Sequence, residues 1–409
     1  MLGLVSGMNF TPSPVRIAFF TDMLVEGFDG ASRTMLQLIQ RIPDDTFDIL
    51  FVVGEFNAPI PASKVCRVPT ITFPMNNDYQ LALPLIVKHK IEEQLSVFAP
   101  EIIHISTPSL LGQFALKYAK KKALPVLSIY HTHFISYLDY YLKHVPWIAR
   151  LLKLQLGMSQ REFYNQCSLV YVPSETILRE LAITGIEEKK MTIWKRGINT
   201  TIFNPGKRNR ERIVAITGNN RFTVLFASRL VWEKNLETLI QVYHLFLNMG
   251  YEWNFIVAGD GIAAAALQRE MPGAYFTGKI DHESLAELYA SSDVFLFPSV
   301  SETYGNVVAE AMASGLPCVI ADGGGSRDLI QHGISGFLCD PFDAKEYLRY
   351  MIQLQCNSTL QQQIIVAAHQ AAAAFDWANL AERYCTDVLR LTHKTFMKYI
   401  NESYYASLY

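Results

Sequence analysis

The chain has 409 residues, half of them hydrophobic, and its 36 Lys and Arg nearly balance its 38 Asp and Glu. This length predicts two or three domains with sizeable cores, and the charge balance excludes a nucleic-acid binder that relies on bulk positive charge. There is no run of 18 or more apolar residues, so no membrane span is expected, and the first ten residues do not resemble a signal peptide. Six scattered cysteines without a C-x-x-C pair are typical of buried free thiols in a reducing compartment, so the cytoplasm is the expected location.

In the N-terminal half, short apolar runs alternate with helical patterns. Buried strands are predicted at 15–21, 47–54, 101–107, 125–133 and 168–174. Continuous apolar strands separated by helices favour a parallel sheet that is covered on both faces. The loop after the first strand holds Gly27 and Gly30, which either let the loop approach a phosphate or simply form a turn.

The second half repeats this pattern. Residues 199–220 combine Pro, Gly, Asn and basic residues with weak periodicity, which predicts an interdomain linker. Further strands are predicted at 222–230, 253–261, 274–278, 294–299 and 317–322. The two series of strands and helices predict two successive doubly wound α/β halves. Ligands in such sheets bind outside the carboxyl ends of the strands. We therefore expect the site in a cleft between two domains, and we expect the aromatic-rich tail to form helices that pack back on the first domain.

The stretch VAGDGIAAA fits G-x-G-x-x-A with Gly259, Gly261 and Ala264, between a predicted strand and a helix. One interpretation is a dinucleotide fingerprint, which would make the protein an NAD-dependent oxidoreductase. The simpler interpretation is a tight turn that needs the backbone freedom of glycine. A lone fingerprint is a weak signal, and the residues leave both interpretations open.

The stretch SETYGNVVAEAMASG places Glu302 just before a predicted helix and Glu310 inside it. Gly305 stands at the start of this helix, where free N–H groups and the positive end of the helix dipole favour an anion. Glu310 lies about 130° from the centre of the apolar face. Since carboxylates accept hydrogen bonds from hydroxyls, this arrangement matches a nucleotide-sugar; the alternative is two solvated glutamates on a surface helix.

Two cations precede these glutamates. Arg229 follows a predicted strand and Lys234 stands just before the next helix, where both could neutralise a bound anion or could simply be surface charges. In the first half, His131 and His133 end a strand, but no Cys or Glu neighbour completes a metal site. The chain also has no D-x-D triplet that would hold Mg²⁺ on a diphosphate.

Together these motifs resemble the retaining GT-B glycosyltransferases of family GT4. SETYGNVVAEAMASGLPCV is similar to the E-x7-E segment of that family, and FASRLVWEKNLETLI, FIVAGDG and FLFPS precede it in the family's order. In the first half, YHTHF, YVPSE and IWKRGINTTIFNP resemble the branch that includes sulfoquinovosyldiacylglycerol synthases and related mannosyl- and glucosyltransferases. The resemblance covers residues 14 to 390. The sequence departs from the family pattern in the loop before Gly30, at Asn199 and in the glycines of ADGGGSRDLI.

The resemblance implies an α/β fold of two Rossmann-like doubly wound parallel-sheet domains that face a deep cleft. Residues 1–205 would form the acceptor-side domain, with the C-terminal helix 386–409 packed back on it. Residues 206–385 would form the nucleotide-sugar-binding domain.

The resemblance also implies roles for individual residues. Glu302 would hold hydroxyls of the donor sugar and Glu310 those of the ribose, while Arg229 and Lys234 would neutralise the diphosphate. His131 would contact the 6-hydroxyl of the sugar near the reacting carbon. The remaining implied donor contacts are Gly30, Tyr304, Gly305, Asn306 and Val307. His131, Arg229, Lys234 and Glu302 are the implied catalytic residues.

The implied reaction is the transfer of a hexose from a nucleotide-sugar, with a UDP-sugar favoured over GDP-mannose, to a glycan or lipid hydroxyl with an α-glycosidic bond. It would need no metal and no other cofactor. No carboxylate is an obvious nucleophile, so Arg229 and Lys234 are expected to stabilise the leaving diphosphate. A basic amphipathic stretch at 140–164, with Lys143, Trp147, Arg150 and Lys153, either contacts the inner leaflet of a membrane or packs on the first sheet. The alternatives are the oxidoreductase that uses the Gly259/Gly261 turn and a nucleotide-sugar-binding module without catalysis.

Overall fold

The computed structural model describes residues 13–25, 30–73, 76–131 and 146–406, and the side chains of residues 73, 76–79, 146–154 and 393–406 lie outside this description. The strands are β1 (Val15–Leu24), β2 (Phe47–Phe56), β3 (Val65–Arg67), β4 (Thr70–Phe73), β5 (Asn76–Ala82), β6 (Ile102–Ile105), β7 (Val126–Ile129), β8 (Leu169–Val172), β9 (Met191–Ile193), β10 (Thr223–Ala227), β11 (Asn254–Ala258), β12 (Tyr275–Gly278), β13 (Val294–Phe297), β14 (Cys318–Ala321) and β15 (Phe337–Cys339). The helices are α1 (Gly30–Ile39), α2 (Lys88–Phe98), α3 (Leu110–Lys122), α4 (Pro146–Gln166), α5 (Glu175–Ile183), α6 (Arg210–Thr217), α7 (Leu236–Asn248), α8 (Ala264–Glu270), α9 (His282–Ser291), α10 (Asn306–Ala313), α11 (Ala344–Cys356), α12 (Ser358–Ala373) and α13 (Trp377–Ala406).

The first sheet has the strand order β3-β2-β1-β6-β7-β8-β9. β1 pairs in parallel with both β2 and β6. The side chains of β6 are all buried, as a strand of a parallel sheet with both faces covered requires. β4 and β5 form a separate antiparallel pair.

The second sheet has the order β12-β11-β10-β13-β14-β15, and all of its neighbouring strands are parallel. β10 has β11 on one side and β13 on the other, so the direction in which the chain adds strands reverses there. This reversal makes the gap between β10 and β13 the topological switch point of the sheet, where open α/β sheets bind their ligands.

All ten strands predicted from apolar runs are present, and so is the predicted alternation with helices. The short strands β3, β9 and β15 and the antiparallel pair of β4 and β5 were not predicted. The prediction of an irregular linker over 199–220 is wrong at residues 210–217, which form α6. Ile213 of α6 is fully buried in the core of the second sheet, so this segment belongs to the fold rather than connecting two folds.

The chain divides into two compact units. The first holds the described residues within Met1–Ile129, Gln166–Leu169 and Ala381–Tyr409, and the second those within Tyr130–Asn165 and Val170–Leu380. The predicted domain bounds of 1–205 and 206–385 stay predictions.

In the first unit, Tyr384 of α13 reaches the centre of the sheet. Its hydroxyl is 2.9 Å from Nδ1 of His104 on β6, and both side chains are buried. The His104 ring stacks on Phe19 of β1, with 4.1 Å between ring centroids. Burial lowers the pKa of His104 to about 3, so this histidine is neutral near pH 7.

The six cysteines are free, four of them buried, while Cys356 is exposed and Cys385 is partly exposed. Among the helices that the structure describes, none combines the length and the apolar character needed to cross a membrane. Lys143 lies outside the described residues, and so do the side chains of Trp147, Arg150 and Lys153 on α4, so the two interpretations of the stretch 140–164 stay open.

Candidate functional site

The candidate site lies at the switch point of the second sheet. The loop after β10 carries Arg229 and Lys234, and the loop after β13 carries Glu302. Because β10 and β13 are parallel neighbours, both loops leave the same edge of the sheet. The fold therefore brings together residues that are 68 positions apart in the sequence.

Asn235 joins the loops at this edge. Its Nδ2 donates hydrogen bonds to the carbonyl oxygens of Pro298 (3.1 Å) and Pro341 (2.7 Å), and its Oδ1 accepts one from Thr238. Its backbone has a φ of +55°, a left-handed conformation that asparagine tolerates better than most residues. Asn235 thus fixes the position of the residue beside it, Lys234.

Lys234 and Glu302 form the central ion pair of the site. The Nζ of Lys234 is 2.5 Å from Oε1 of Glu302 and 3.3 Å from Oγ of Ser301. The Lys234 side chain is 6% exposed and that of Glu302 is 21% exposed. Burial by itself would raise the pKa of Glu302, but the charge of Lys234, aided by Arg229 and Arg196, lowers it below the ordinary value. Glu302 is therefore an ionised hydrogen-bond acceptor at neutral pH.

A turn that contains Gly324 and Gly325 packs against the loop that carries Glu302. The N–H of Gly325 donates to the carbonyl oxygen of Glu302 at 2.6 Å. A Cβ at Gly325 would lie 1.9 Å from the carbonyl oxygen of Thr303, and one at Gly324 would lie 2.5 Å from that of Val300. The turn therefore needs glycine at both positions, because only glycine lets the two backbones approach this closely.

Arg229 contacts a second carboxylate. Its Nη2 is 3.6 Å from Oε1 of Glu233, four residues later, and its side chain is 63% exposed whereas that of Glu233 is 6% exposed. Burial raises the pKa of Glu233, and Glu302 acts in the same direction while Arg229 and Lys234 oppose the rise. We call Arg196, Arg229, Glu233, Lys234 and Glu302 the charged cluster.

The Gly259/Gly261 turn holds the backbone around Arg229. A Cβ at Gly259 would lie 1.9 Å from the carbonyl oxygen of Ser228, and one at Gly261 would lie 2.4 Å from that of Leu230. The N–H of Leu230 donates to the carbonyl oxygen of Asp260 at 2.9 Å. These contacts explain the glycine spacing by close backbone packing, which favours the tight-turn interpretation of this motif.

Helix α10 begins directly after the Glu302 loop. Gly305 precedes it with a φ of +89°, and a Cβ there would lie 2.6 Å from Cβ of Ser326. Asn306 and Val307 are half-buried in the first turn, and Glu310 is buried one turn further on. The N–H groups of Asn306 and Val307 lie in this first turn, where a helix can bind an anion.

Tyr304 packs away from this edge. Its ring is buried and meets Phe375 edge-on, with 6.2 Å between centroids. Burial raises the pKa of its hydroxyl. Its side chain is therefore part of the core, and its predicted contact with the donor would have to come from its backbone.

His131, Thr303 and Arg196 form a buried polar group next to Glu302. The carbonyl oxygen of His131 accepts hydrogen bonds from Nη2 of Arg196 (2.9 Å) and from Oγ1 of Thr303 (3.1 Å). Nη2 of Arg196 is also 3.4 Å from Oγ1 of Thr303. The backbone of His131 thus contacts Thr303, the residue that directly follows Glu302 in the sequence. His133 lies outside the described residues.

Gly30 begins α1 in the first unit, directly after residues 26–29, which are outside the description. Its predicted role at the phosphate stays a prediction. Within the part of the chain that the structure describes, no group of three or more His, Cys, Asp or Glu could hold a metal ion.

Four residues that build the site were not predicted from the sequence: Arg196, Glu233, Asn235 and Thr303. Glu233 could have been found, since its spacing of four from Arg229 is a recognised ion-pair spacing. Arg196 follows β9, a strand of three residues that is too short to be predicted, so its place after a strand could not be found from the sequence. Asn235 and Thr303 act through contacts that local spacing does not predict.

Two family models match the chain side by side. The model of Glycosyltransferase Family 4 matches residues 28–202, and that of Glycosyl transferases group 1 matches residues 207–371. The chain belongs to the GT4 glycosyltransferases. The resemblance inferred from its motifs is confirmed, and the oxidoreductase alternative is not.

Among curated proteins, this GT4 glycosyltransferase is similar to the GDP-mannose-dependent alpha-mannosyltransferase of Corynebacterium glutamicum, with 28% identity over 92% of the chain and 88% of the relative. It is 29% identical to the sulfoquinovosyl transferase SQD2 of Arabidopsis thaliana over 89% of the chain and 71% of the relative. It is 22% identical to the alpha-monoglucosyldiacylglycerol synthase of Acholeplasma laidlawii over 84% of the chain and 89% of the relative.

The predicted GT-B fold is confirmed by solved structures. Anabaena HepE in complex with UDP matches with a TM-score of 0.71 and 18% identity, over 92% of this chain and all of HepE. Two parallel-sheet α/β halves are common to both, so the switch-point site lies in a GT-B glycosyltransferase.

Proposed function

We propose that this GT4 glycosyltransferase transfers a hexose from a nucleoside-diphosphate sugar to an acceptor hydroxyl with retention of the anomeric configuration. The main support is the ion pair of Lys234 and Glu302 at the switch point. It places a fixed cation, which can bind the diphosphate, beside an ionised carboxylate, which can accept hydrogen bonds from the sugar hydroxyls. Arg229 and the first turn of α10 complete the anion site. Glu310 binds the ribose hydroxyls, and His131 faces the sugar.

The diphosphate leaves with increasing negative charge, and fixed cations at that position lower the barrier most. Arg229 and Lys234 supply this charge, so the reaction needs no metal. Chelation with EDTA is expected to leave turnover unchanged. A loss of activity that Mg²⁺ or Mn²⁺ restores would refute this part of the proposal.

The donor is identified by thermal stabilisation with a panel of UDP-, GDP- and ADP-sugars. A ligand at about 100 times its Kd stabilises the native state by about 2.7 kcal/mol, which is a readily measured rise in melting temperature. The favoured donor is a UDP-sugar; GDP-mannose stays in the panel because the C. glutamicum relative is GDP-mannose-dependent. The matched variants are Lys234→Ala, which should reduce the shift, and Lys345→Ala at an exposed position of α11, which should keep it.

Donor hydrolysis distinguishes the enzyme from a nucleotide-sugar-binding module. The stabilising sugar nucleotide should be cleaved slowly to nucleoside diphosphate and free sugar in the absence of acceptor. Binding without any cleavage or transfer would favour the module. Once an acceptor is found, the anomeric coupling constant of the product tests retention.

The proposed acceptor is a lipid hydroxyl, with the enzyme bound peripherally at the cytoplasmic face of a membrane. The lipid acceptor is supported by the A. laidlawii relative, an alpha-monoglucosyldiacylglycerol synthase, and by the basic stretch 140–164. The cytoplasmic face is supported by the free cysteines, which fit a reducing compartment. Radiolabelled donor is offered with vesicles that contain diacylglycerol, with or without anionic lipid. Label in the lipid phase is expected; transfer to soluble glycans alone would refute the lipid acceptor.

A further inference from the structure

Glu233 is a buried carboxylate that the proposed reaction does not use. It lies in the short helical turn between β10 and α7, directly before Lys234. Its side chain is 6% exposed, whereas Glu237, one helical turn later, is exposed. A carboxylate is unfavourable inside a protein unless it is paired, and it is more unfavourable still in a site that binds a diphosphate. Its presence therefore needs an explanation.

Glu233 forms an ion pair with Arg229. Its Oε1 is 3.6 Å from Nη2 of Arg229. Its Oε2 is buried and has no hydrogen-bond partner among the residues that the structure describes. Lys234, the other nearby cation, pairs with Glu302 instead. Glu233 is thus the carboxylate that Arg229 contacts.

Arg229 has few other restraints. Its side chain is 63% exposed, so without Glu233 the guanidinium would sample many rotamers that point away from the site. Ordering it only when the donor arrives would use part of the binding energy. A carboxylate four residues later, on a turn fixed by Asn235, restricts the guanidinium beforehand.

We propose that Glu233 is a positioning residue that holds the Arg229 guanidinium ready for the donor diphosphate. The proposal rests on the proposed function of the site, in which Arg229 binds the diphosphate. Glu233 does not touch the substrate. Its effect passes through Arg229, and it is therefore lost when Arg229 is absent.

The test compares Glu233→Ala and Glu233→Gln, with Glu237→Ala as the matched control on the exposed face. Affinity for UDP and for GDP is measured by calorimetry, and kcat and KM are measured for hydrolysis of the stabilising donor. Glu233→Ala should weaken nucleoside-diphosphate binding and raise KM by about 5- to 10-fold, as expected for one misplaced charged contact. Glu233→Gln keeps the side-chain volume but removes the charge that attracts Arg229 at 3.6 Å, so it should weaken binding nearly as much as Glu233→Ala. Glu237→Ala should match the wild type.

A double-mutant cycle with Arg229→Ala separates positioning from other roles. In the Arg229→Ala background, adding Glu233→Ala should change binding by less than about 2-fold. An equal loss in both backgrounds would overturn the proposal, since it would mean that Glu233 acts directly or only through the fold. If Glu233→Ala lowers the melting temperature strongly, Glu233→Met, which restores apolar volume, is used in the same cycle with the same expectation.

The cycle also distinguishes this proposal from the function on which it rests. If Arg229→Ala and Lys234→Ala both bind UDP and GDP as the wild type does, the diphosphate site itself is refuted, and the role of Glu233 with it. If Arg229→Ala weakens binding but Glu233→Ala does not, the site stands and only the positioning role is refuted.

Discussion

Replacing Lys234 by Ala is the most direct perturbation of the site. The substitution removes the ammonium that lies 2.5 Å from Glu302. Loss of one fixed group that stabilises transition-state charge typically lowers kcat by about 10²–10³-fold, or about 2.7–4 kcal/mol. Because charge on the diphosphate grows as the bond to the sugar breaks, the effect on kcat should exceed the effect on donor KM.

The same substitution should also destabilise the empty enzyme. Removing one partner of a fully buried ion pair costs about 3–5 kcal/mol. The Glu302 side chain is 21% exposed, so water can reach part of the orphaned carboxylate, and the cost should fall to about 2–3 kcal/mol. The double variant Lys234→Ala/Glu302→Gln should recover much of this stability but none of the activity, which separates the catalytic loss from the loss of fold.

The assay measures initial rates of donor hydrolysis below the melting temperature of every variant, over a range of donor concentrations. Lys345→Ala serves as the control for a lost lysine in the same unit. A kcat for Lys234→Ala within a few-fold of wild type would refute the catalytic role. A raised KM with unchanged kcat would mean that Lys234 binds the ground state and the transition state equally well.

The pair also predicts a pH effect. Since the pKa of Glu302 is lowered in the folded enzyme, its ionised form contributes stability that is present above the unfolded value of 4.5 and is lost as pH falls through the folded value. Lys234→Ala removes the main cause of the lowered pKa. The acid-side loss of stability of this variant should therefore be shallower than that of the wild type.

Three further predictions follow from other parts of the fold. Gly305→Ala places a side chain on a residue with a φ of +89° and brings its Cβ to within 2.6 Å of the Cβ of Ser326. It should lower the free energy of unfolding by about 2–3 kcal/mol in a denaturant titration. The control Gly333→Ala has a φ of +74° but open space around its Cβ, so it should lower this free energy by only about 1 kcal/mol. Glu310→Gln should weaken binding of the ribonucleotide by at least about 10-fold but leave that of its 2′,3′-dideoxy analogue unchanged, and equal losses for both would refute the ribose contact. His104 is held neutral with a pKa of about 3 against 6.5 when unfolded, so stability should fall by about 1.4 kcal/mol per pH unit below 6.5, and His104→Phe should flatten this slope.

The sequence predicts the central strands of both sheets well because they are continuous apolar runs with buried side chains on both faces. It fails for β3, β9 and β15, which have three residues each. Such strands are shorter than the window in which a pattern can be recognised. It also fails for α6, whose eight residues bury Ile213 and Thr217 among charged neighbours. One or two buried positions produce no readable period.

Glu310 shows what helical periodicity can and cannot predict. The spacing of residues along the helix predicts that Glu310 points away from the apolar face of α10. The spacing does not predict which residues surround it there. In the structure Glu310 is buried rather than solvated, which disfavours the alternative of a solvated surface glutamate. What surrounds it depends on other segments of the chain, which no local pattern encodes.

The same limit applies to the charged cluster. Arg229 and Lys234 are visible in the sequence because they follow a strand, but their pairing is not: Lys234 pairs with Glu302 across 68 positions. Arg196 comes from a different sheet and acts on Glu302 as a further cation. The strand order, which makes β10 and β13 neighbours, determines that Glu302 meets Lys234, whereas Glu233 meets Arg229 through a local spacing of four residues.

The composition of the charged cluster connects its stability to its chemistry. Three cations and two carboxylates leave one net positive charge, so the empty site does not hold a large uncompensated charge away from water. The cations are nevertheless fixed in place before the donor binds, Lys234 by Glu302 and Arg229 by Glu233. A site of this kind gains most when the negative charge near it increases, as it does on a departing diphosphate. In the proposed reaction, the cations therefore stabilise the leaving group, and this is the reason that Lys234→Ala should lower kcat more than it raises KM.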